Sequence, residues 1–145
     1  MAVNKGLSES LEDYLEAIYH IVREKQAARV KDIARRLDVR AASVTGALRS
    51  LAEKGLVNYA PYEIVTFTRK GEEAALRVVS RHKVLKDFFI NVLLADEAAA
   101  DQAACHMEHC ITEQMLEKIE QISAFIADCP VSDDKPRECP FDRRN

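Results

Sequence analysis

The sequence predicts a mainly α-helical protein in which an N-terminal winged helix-turn-helix, made of three helices and a two-stranded wing, precedes a second helical domain. Three observations predict this class. Apolar residues recur at helical spacing along most of the chain, they alternate with polar residues over only two short stretches, and a glycine precedes those stretches. We expect the winged helix over residues 1–70, the second domain over 71–128, and a flexible tail containing cysteine and proline over 129–145.

The helices of the first domain are predicted from apolar spacing and cap residues. The first helix begins after Ser8 or Ser10 and continues to Lys25. A two-turn helix over Val30–Leu37, a turn, and a helix over Ala42–Lys54 then form a helix-turn-helix.

A hairpin is expected directly after the third helix. Gly55 is suited to end that helix in the left-handed conformation. Leu56–Tyr59 and Ile64–Phe67 alternate apolar and polar residues on either side of the turn Ala60–Glu63, which predicts the two-stranded wing.

The second domain is predicted to contain helices from Lys70 to about Leu93, over Ala98–Cys110, which Asp96 is suited to cap, and over Thr112–Ala127. The last of these carries an apolar stripe that requires a partner. Two explanations remain open, packing within the chain and a two-fold dimer interface. The residues that the stripe offers to a dimer interface are Met115, Leu116, Ile119 and Ile122.

Charge is distributed unevenly along the chain, although the net charge is only −3. Between Arg23 and Lys70, eleven Lys and Arg stand against five Asp and Glu, a net charge of +6, so the remainder carries −9. A basic segment joined to an acidic one suits a phosphate-binding module fused to a cation-binding or dimerising module. The alternative is an accidental distribution of solvated charges.

Several classes of protein are disfavoured by the sequence. No apolar run is long enough to cross a bilayer, and the first ten residues lack the features of a secretory signal, so we expect a cytoplasmic protein without a membrane partner. In a reducing cytosol the four cysteines are expected to be thiols. Nothing marks a nucleophile or a general base, so we expect neither an enzyme nor a small-molecule substrate.

The predicted helix-turn-helix suggests how duplex DNA would be bound. The second helix of this motif enters the major groove, while the preceding helix and the wing contact phosphates. The side chains expected to face the bases are Arg40, Ser43, Thr45 and Arg49. Those expected to contact the DNA backbone are Arg35, Arg36, Arg69 and Lys70. The alternative is a winged helix used for protein contacts.

Ligand-type residues also recur at helical spacing. Cys105, Glu108 and His109 stand at i, i+3 and i+4, which a helix places on one face. Asp13 and Glu16 form a similar i, i+3 pair in the first helix. Spacing alone leaves two interpretations open, a transition-metal site and ordinary solvated side chains.

Taken together, these segments resemble the diphtheria toxin repressor and manganese transport regulator family over roughly residues 7–127. The combination is more specific than any one of its parts. The segments that carry the resemblance are LEDYLEAIYHI (11–21), ARVKDIARRLDVRAASVTGALRSLAEKGLV (28–57), FTRKG (67–71), RHKVLKDFF (81–89) and CHMEH (105–109).

The resemblance implies a homodimer that binds a palindromic operator when a divalent metal joins the first helix to the connector and dimerisation helices. It also implies a short form of the family, without the SH3-like domain of longer members. The metal ligands that it implies are Asp13, Glu16, His82, Cys105, Glu108 and His109.

The sequence departs from both branches of that family. Manganese-type members have glutamate at the position of Cys105, and iron-type members have methionine at the position of Asp13. Because a thiolate favours softer metals, we expect Fe(II) first and Mn(II) second, with other divalent metals able to substitute in vitro. Lys86 and Asp101 replace the Glu and His of the ancillary site of iron-type members, so that second site is not expected.

The leading hypothesis is therefore a metal-activated repressor of metal-uptake genes. One alternative is a winged-helix regulator in which the ligand cluster is only structural, and another is a metalloenzyme or metal buffer. Cys129 and Cys139, each followed by proline, match nothing in the family; they are interpreted as free thiols, or as part of a site shared with another subunit.

Overall fold

A computed structural model describes residues 7–128. The predicted tail, with Cys129 and Cys139, lies outside the described residues. Within the described range the chain is mainly helical with a small antiparallel sheet, as predicted. The elements are α1 (Glu9–Lys25), α2 (Val30–Leu37), α3 (Ala41–Glu53), β1 (Val57–Asn58), β2 (Thr66–Phe67), α4 (Arg69–Asn91), α5 (Glu97–Met107) and α6 (Glu113–Asp128).

Cap residues determine where several helices begin. The hydroxyl of Ser8, and not that of Ser10, accepts a hydrogen bond from the backbone N–H of Leu11 at the start of α1. Thr68 caps α4, and Asp96 caps α5 through its carboxylate, as the sequence predicts for Asp96. These caps satisfy backbone donors that the first turn of a helix leaves free.

The winged helix has its own core, formed by α1, α2, α3 and the wing. Leu15, Ile18, Ile33, Leu48 and Leu51 are fully buried there. Removing this apolar surface from water is the main stabilising term for such a core.

The wing is shorter than predicted, with two residues in each strand and the register Val57 to Phe67 and Asn58 to Thr66. The backbone N–H of Thr68 donates to the carbonyl of Leu56 in the same register, but the ladder ends there because Thr68 is already the cap of α4. Val65 pairs instead with Ala28, in the connection between α1 and α2. The base of the wing is thereby attached to the helices.

Helix α4 joins the two domains. Its first half packs against the winged helix, and its second half forms a smaller core with α5 and α6 around Leu85, Ala104 and Leu116. The helix ends at Asn91, two residues earlier than predicted, because the following chain turns and Leu94 adopts a positive φ of 56°. Among residues 7–128, no helix is both long and apolar enough to span a membrane.

The apolar stripe of α6 is divided between two environments. Leu116 is 8% exposed and packs in the core just described, so the structure assigns it to intramolecular packing. Ile119 is partly buried against the same core, and Ile122 is half-buried. Met115 is 55% exposed in the single chain. The part of the stripe that remains free for a second copy is therefore narrower than the sequence suggests.

Candidate metal centre and nucleic-acid interface

The candidate metal centre lies where α1, α4 and α5 meet. Helix α1 packs against α4, and α4 packs against α5. The one-face spacing of Asp13 and Glu16 on α1 directs both toward this junction, where His82 projects from α4. Glu108 and His109 follow directly after the last turn of α5, which ends at Met107 and not at Cys110 as predicted.

Two overlapping groups of ligand-type side chains lie at this junction. Asp13, Glu108 and His109 form one group, and Glu16, His82 and Glu108 form the other; in each, one ligand atom per residue lies within 4.8 Å of the others. Glu108 is common to both groups. Residues of α1, α4 and the segment after α5, far apart in sequence, therefore converge on a single carboxylate.

Short distances between imidazole nitrogens and carboxylate oxygens define the two groups. The Nε2 of His109 lies 2.9 Å from a carboxylate oxygen of Asp13 and 3.5 Å from Oε1 of Glu108. In the second group, the Nδ1 of His82 lies 2.6 Å from Oε2 of Glu108. The two oxygens of Glu108 thus point toward different groups.

The environment of Glu108 fits a divalent cation. Its side chain is fully buried, yet Oε1 has no hydrogen-bond partner among the described residues, which is uncommon for a buried polar atom. Burial raises the pKa of the Asp13 carboxyl, and burial together with the charge of Glu108 raises the pKa of Glu16. Carboxylate and imidazole donors suit Mn(II) and Fe(II), and a bound cation would offset this concentration of negative charge.

Cys105 belongs to neither group. Its thiol is exposed and lies along a cleft of about 760 Å³ that is also lined by Asp13, Glu16, His82 and Asp101. The part of its environment that is shielded from water and, next, the charge of Glu108 raise the pKa of the thiol. Without a cation beside it, Cys105 is therefore a protonated thiol at neutral pH.

His82 lies between two carboxylates. Besides its contact with Glu108, its Nε2 lies 3.2 Å from Asp101, and the hydrogen bond with Glu108 is the main cause that raises the pKa of His82 to about 9. The Nζ of Lys86 lies 3.0 Å from Asp101 and 3.2 Å from Glu97. A lysine ammonium thus accompanies Asp101 beside His82, at the two positions where the sequence predicts no second metal site.

Two residues of the centre were missed in the sequence. Glu12 and Arg81 are 6% and 8% exposed, and Glu12 lies 2.8 Å from the Nδ1 of His109. The sequence did contain an indication that Arg81 is buried. Arg81 is three residues after Val78 and four before Leu85, so it lies on the apolar face of α4. A charged side chain on an apolar face requires a buried partner.

The predicted DNA-contacting residues are mostly exposed. Arg35, Arg40, Ser43 and Arg49 are open to solvent, whereas Thr45 is half-buried and its hydroxyl donates to the carbonyl of Ala41. These four side chains are therefore accessible to a ligand on this surface.

Three of the predicted cations have partners within the chain. Arg36 is 2.9 Å from Glu24 and lines the metal cleft, which places it on the side of α2 that faces α1. Arg69 pairs with Glu73, and the Nζ of Lys70 donates to the carbonyl of Lys54. All three remain exposed, but a DNA contact would compete with these interactions.

A cleft between α2, α3 and the wing adds cations that were not singled out in the sequence. It is lined by Arg29 and Lys31 at the start of α2, by Thr45 and Arg49 of α3, and by Tyr62 at the wing tip. Arg29 and Lys31 were counted in the basic segment but not assigned a role. A positive cleft beside the second helix of a helix-turn-helix suits a DNA phosphate.

A winged helix joined through α4 to a helical domain with a carboxylate and imidazole cluster defines a class of metal-dependent DNA-binding regulators. Two family models match the chain: iron dependent repressor, N-terminal DNA binding domain, over residues 6–65, and iron dependent repressor, metal binding and dimerisation domain, over residues 68–137. The chain belongs to the iron-dependent repressor family, whose members are transcriptional regulators. This confirms the family resemblance predicted from the sequence.

Known proteins of this family are similar over most of the chain. An uncharacterized HTH-type transcriptional regulator of Methanocaldococcus jannaschii is 36% identical over 78% of this chain and 91% of its own length. The HTH-type transcriptional regulator MntR of Shouchella clausii is 33% identical over 89% of this chain and 90% of its own length.

Solved structures show the same fold. A manganese-dependent transcriptional repressor in complex with manganese has a TM-score of 0.72 and 31% identity over 79% of this chain. IdeR of T. acidophilum has a TM-score of 0.71 at 24% identity, which is a likeness of fold. This chain spans about half of each solved chain, 53% in both cases.

Proposed function

We propose that this protein is a metal-activated repressor that binds a palindromic operator as a homodimer and controls metal-uptake genes. The observation that carries the proposal is the sharing of Glu108 between two ligand groups built from α1, α4 and the segment that follows α5. We also propose a domain boundary near residue 70, in the first turn of α4. The DNA-binding domain then comprises residues 1–70, and the metal-binding and dimerisation domain comprises residues 71–128.

The proposed metal ligands are the residues that converge at the junction of α1, α4 and α5. One ion would be held by Asp13, Glu108 and His109, and a second by Glu16, His82 and Glu108, with Glu108 common to both. Five oxygen- and nitrogen-donating residues favour Mn(II) or Fe(II) without requiring sulfur. We propose that Cys105, at the edge of the same cleft, is a ligand when Fe(II) is bound and is not required when Mn(II) is bound.

The arrangement couples the metal centre to the DNA-binding domain. Asp13 and Glu16 belong to α1, which contributes to the core of the winged helix, whereas Glu108 and His109 belong to the second domain. A bound cation would supply the positive charge that these carboxylates lack, and its affinity would favour the state in which α1 stays docked. Met115, which is exposed, and Ile119 and Ile122, which are only partly buried, are proposed to pair with a second copy.

The DNA contacts follow from α3 and its surroundings. Arg40, Ser43, Thr45 and Arg49 are proposed to approach base edges in the major groove. Arg35, Arg69 and Lys70 are proposed to contact phosphates, together with Arg36 if its pair with Glu24 opens. In a two-fold dimer, the two copies of α3 would read half-sites about 34 Å apart or a multiple of that distance.

Fluorescence anisotropy with a labelled palindromic promoter fragment tests this proposal at one fixed salt concentration, with chelator, Mn(II), or Fe(II) under anaerobic conditions. We expect affinity to rise more than about tenfold with Mn(II) or Fe(II), equivalent to about 1.4 kcal/mol of coupling. Replacing both Glu108 and His109 by Ala should abolish the rise. The matched control is Glu113→Ala, which removes an exposed carboxylate at the start of α6. Equal affinity with chelator and with metal would instead indicate a cluster with only a structural role.

A further inference from the structure

We propose that Glu12 is the positioning residue of the metal centre: its carboxylate holds the imidazole of His109 by Nδ1, so that Nε2 faces the ion, and it is itself held by Arg81. This inference rests on the proposed function. It concerns a buried carboxylate that belongs to neither ligand group.

The contacts of Glu12 form a chain across three helices. Its Oε2 lies 2.8 Å from the Nδ1 of His109, and its Oε1 lies 3.6 Å from a guanidinium nitrogen of Arg81. Arg81 in turn donates to the backbone carbonyl of Glu108 at 2.9 Å. One ion pair between α1 and α4 therefore supports both Glu108 and His109, the two ligands that follow α5.

The ring of His109 has a different partner at each nitrogen. Nδ1 faces Glu12, whereas Nε2 faces Asp13 and the unpartnered Oε1 of Glu108. A neutral imidazole carries one N–H, so donation from Nδ1 to Glu12 leaves the lone pair of Nε2 directed at the candidate ion. A carboxylate in this role fixes the ring and increases the basicity of the ligand nitrogen.

Two other roles for Glu12 make different predictions. As a direct ligand it would share an ion with Asp13 and Glu108, but it lies at the opposite nitrogen of the His109 ring. As a purely structural partner of Arg81 it would affect stability without affecting metal affinity. Burial of both side chains is consistent with a positioning role, because a buried pair holds its geometry better than an exposed one.

Asp101 offers a comparison within the same protein. It contacts the Nε2 of His82, much as Glu12 contacts the Nδ1 of His109, but its side chain is 54% exposed and it is shared with Lys86. Water can replace an exposed partner more easily than a buried one. Asp101→Asn should therefore lower metal affinity less than the corresponding change at Glu12.

The test measures Mn(II) affinity of the full chain by isothermal titration for wild type, Glu12→Gln, Asp101→Asn and the exposed α6 control Glu113→Gln. We expect Glu12→Gln to weaken binding about 10- to 100-fold, Asp101→Asn less, and Glu113→Gln not at all. If Glu12→Gln does not fold, Glu12→Asp replaces it, because the shorter side chain keeps the negative charge but moves it away from His109. We expect Glu12→Asp to weaken Mn(II) binding while its thermal stability in chelator stays close to that of wild type.

A spectroscopic readout separates positioning from structural support. In the Zn(II)-loaded protein with ¹⁵N-labelled histidine, wild type should show His109 protonated at Nδ1 and metal-bound at Nε2, and Glu12→Gln should weaken or mix that pattern. Wild-type affinity in both Glu12 variants would overturn the inference and leave the proposed function intact. Absence of Mn(II) and Zn(II) binding in wild type would overturn both.

Discussion

The Nδ1 of His82 on α4 lies 2.6 Å from Oε2 of Glu108, which directly follows α5, although 26 residues separate them in sequence. Glu108 is fully buried and the His82 side chain is 19% exposed, so this contact is partly shielded from water. The same carboxylate also faces His109, and through it the first helix. The metal centre and the contact between the two domains are therefore built from the same side chains.

This contact predicts a pH dependence for the metal-free protein. The hydrogen bond with Glu108 raises the pKa of His82 from 6.5 to about 9 in the folded state. A raised folded pKa means that the protonated ring contributes stability that is complete below pH 6.5 and is lost as pH rises through about 9. Urea unfolding in chelator at pH 6, 7.5 and 9.5 should show this loss.

The control for this prediction is His82→Asn, which cannot titrate. The difference in unfolding free energy between wild type and this variant should shrink as pH rises from 6.5 to 9. A difference that stays constant over this interval would show that the ring is not charged in the folded protein.

Cys105 is predicted to distinguish between metals. Because its thiol lies beside the two ligand groups but in neither, Cys105→Ala should leave Mn(II) affinity within about threefold of wild type and lower Fe(II) affinity about tenfold. Anaerobic competition titrations with a chromophoric chelator measure both. The matched control is Cys110→Ala, since that exposed thiol contacts the backbone carbonyl of Met107 and does not line the cleft. Equal loss for both metals would make Cys105 a general ligand.

Two arginines of the basic segment are predicted to differ in DNA binding. Arg49 is exposed on α3 and lines the cleft toward the wing, whereas Arg36 pairs with Glu24 and lines the metal cleft. If Arg49 contacts a base, Arg49→Ala should weaken metal-dependent DNA binding by about 1 to 3 kcal/mol. If Arg49 contacts a phosphate, the substitution should instead reduce by about one the slope of log affinity against log salt concentration. Arg36→Ala should have a smaller effect. Anisotropy titrations at several salt concentrations measure both the affinity and its salt dependence. A larger effect of Arg36→Ala than of Arg49→Ala would place DNA on the other side of α2.

Gly71 is predicted to be essential for the joint between the wing and α4. A Cβ atom there would lie only 1.7 Å from the backbone carbonyl oxygen of Leu56, so Gly71→Ala should destabilise the protein by at least about 2 kcal/mol. Gly46, inside α3, has no atom within 4 Å of such a Cβ. Gly46→Ala should therefore stabilise by about 0.5 to 1 kcal/mol. Thermal and urea unfolding compare the two, and tolerance of Gly71→Ala would mean that α4 can shift away from the wing.

Regular elements with strong local signals were predictable from the sequence. Ser8 and Asp96 cap helices as expected. The apolar spacing also predicted the last residue of α1 and of α2 correctly. The wing strands were predicted too long, because alternation does not reveal that Thr68, whose N–H donates to the carbonyl of Leu56, ends the pairing there as the cap of α4. That contact depends on the tertiary position of α4.

The candidate site was predictable only in part. The ligand-type residues on α1 and after α5 were found from spacing and family resemblance, but spacing could not show which of them share an ion. Glu12 and Arg81 were missed because each lies beside a more familiar motif residue, and their pairing joins α1 to α4. Leu116 was considered for the dimer interface because a helical stripe does not say which of its residues face the chain's own core.

The central claim is that one centre, organised around Glu108, couples metal binding to DNA binding. The most direct test is a thermodynamic cycle: Mn(II) affinity with and without operator DNA, and DNA affinity with and without Mn(II), at one salt concentration and pH. Coupling between two sites must be reciprocal. The account predicts the same factor, about tenfold or more, on both sides of the cycle, and its loss in Glu108→Gln. A factor near one on both sides, with Mn(II) still bound, would contradict the claim that this metal centre controls DNA binding.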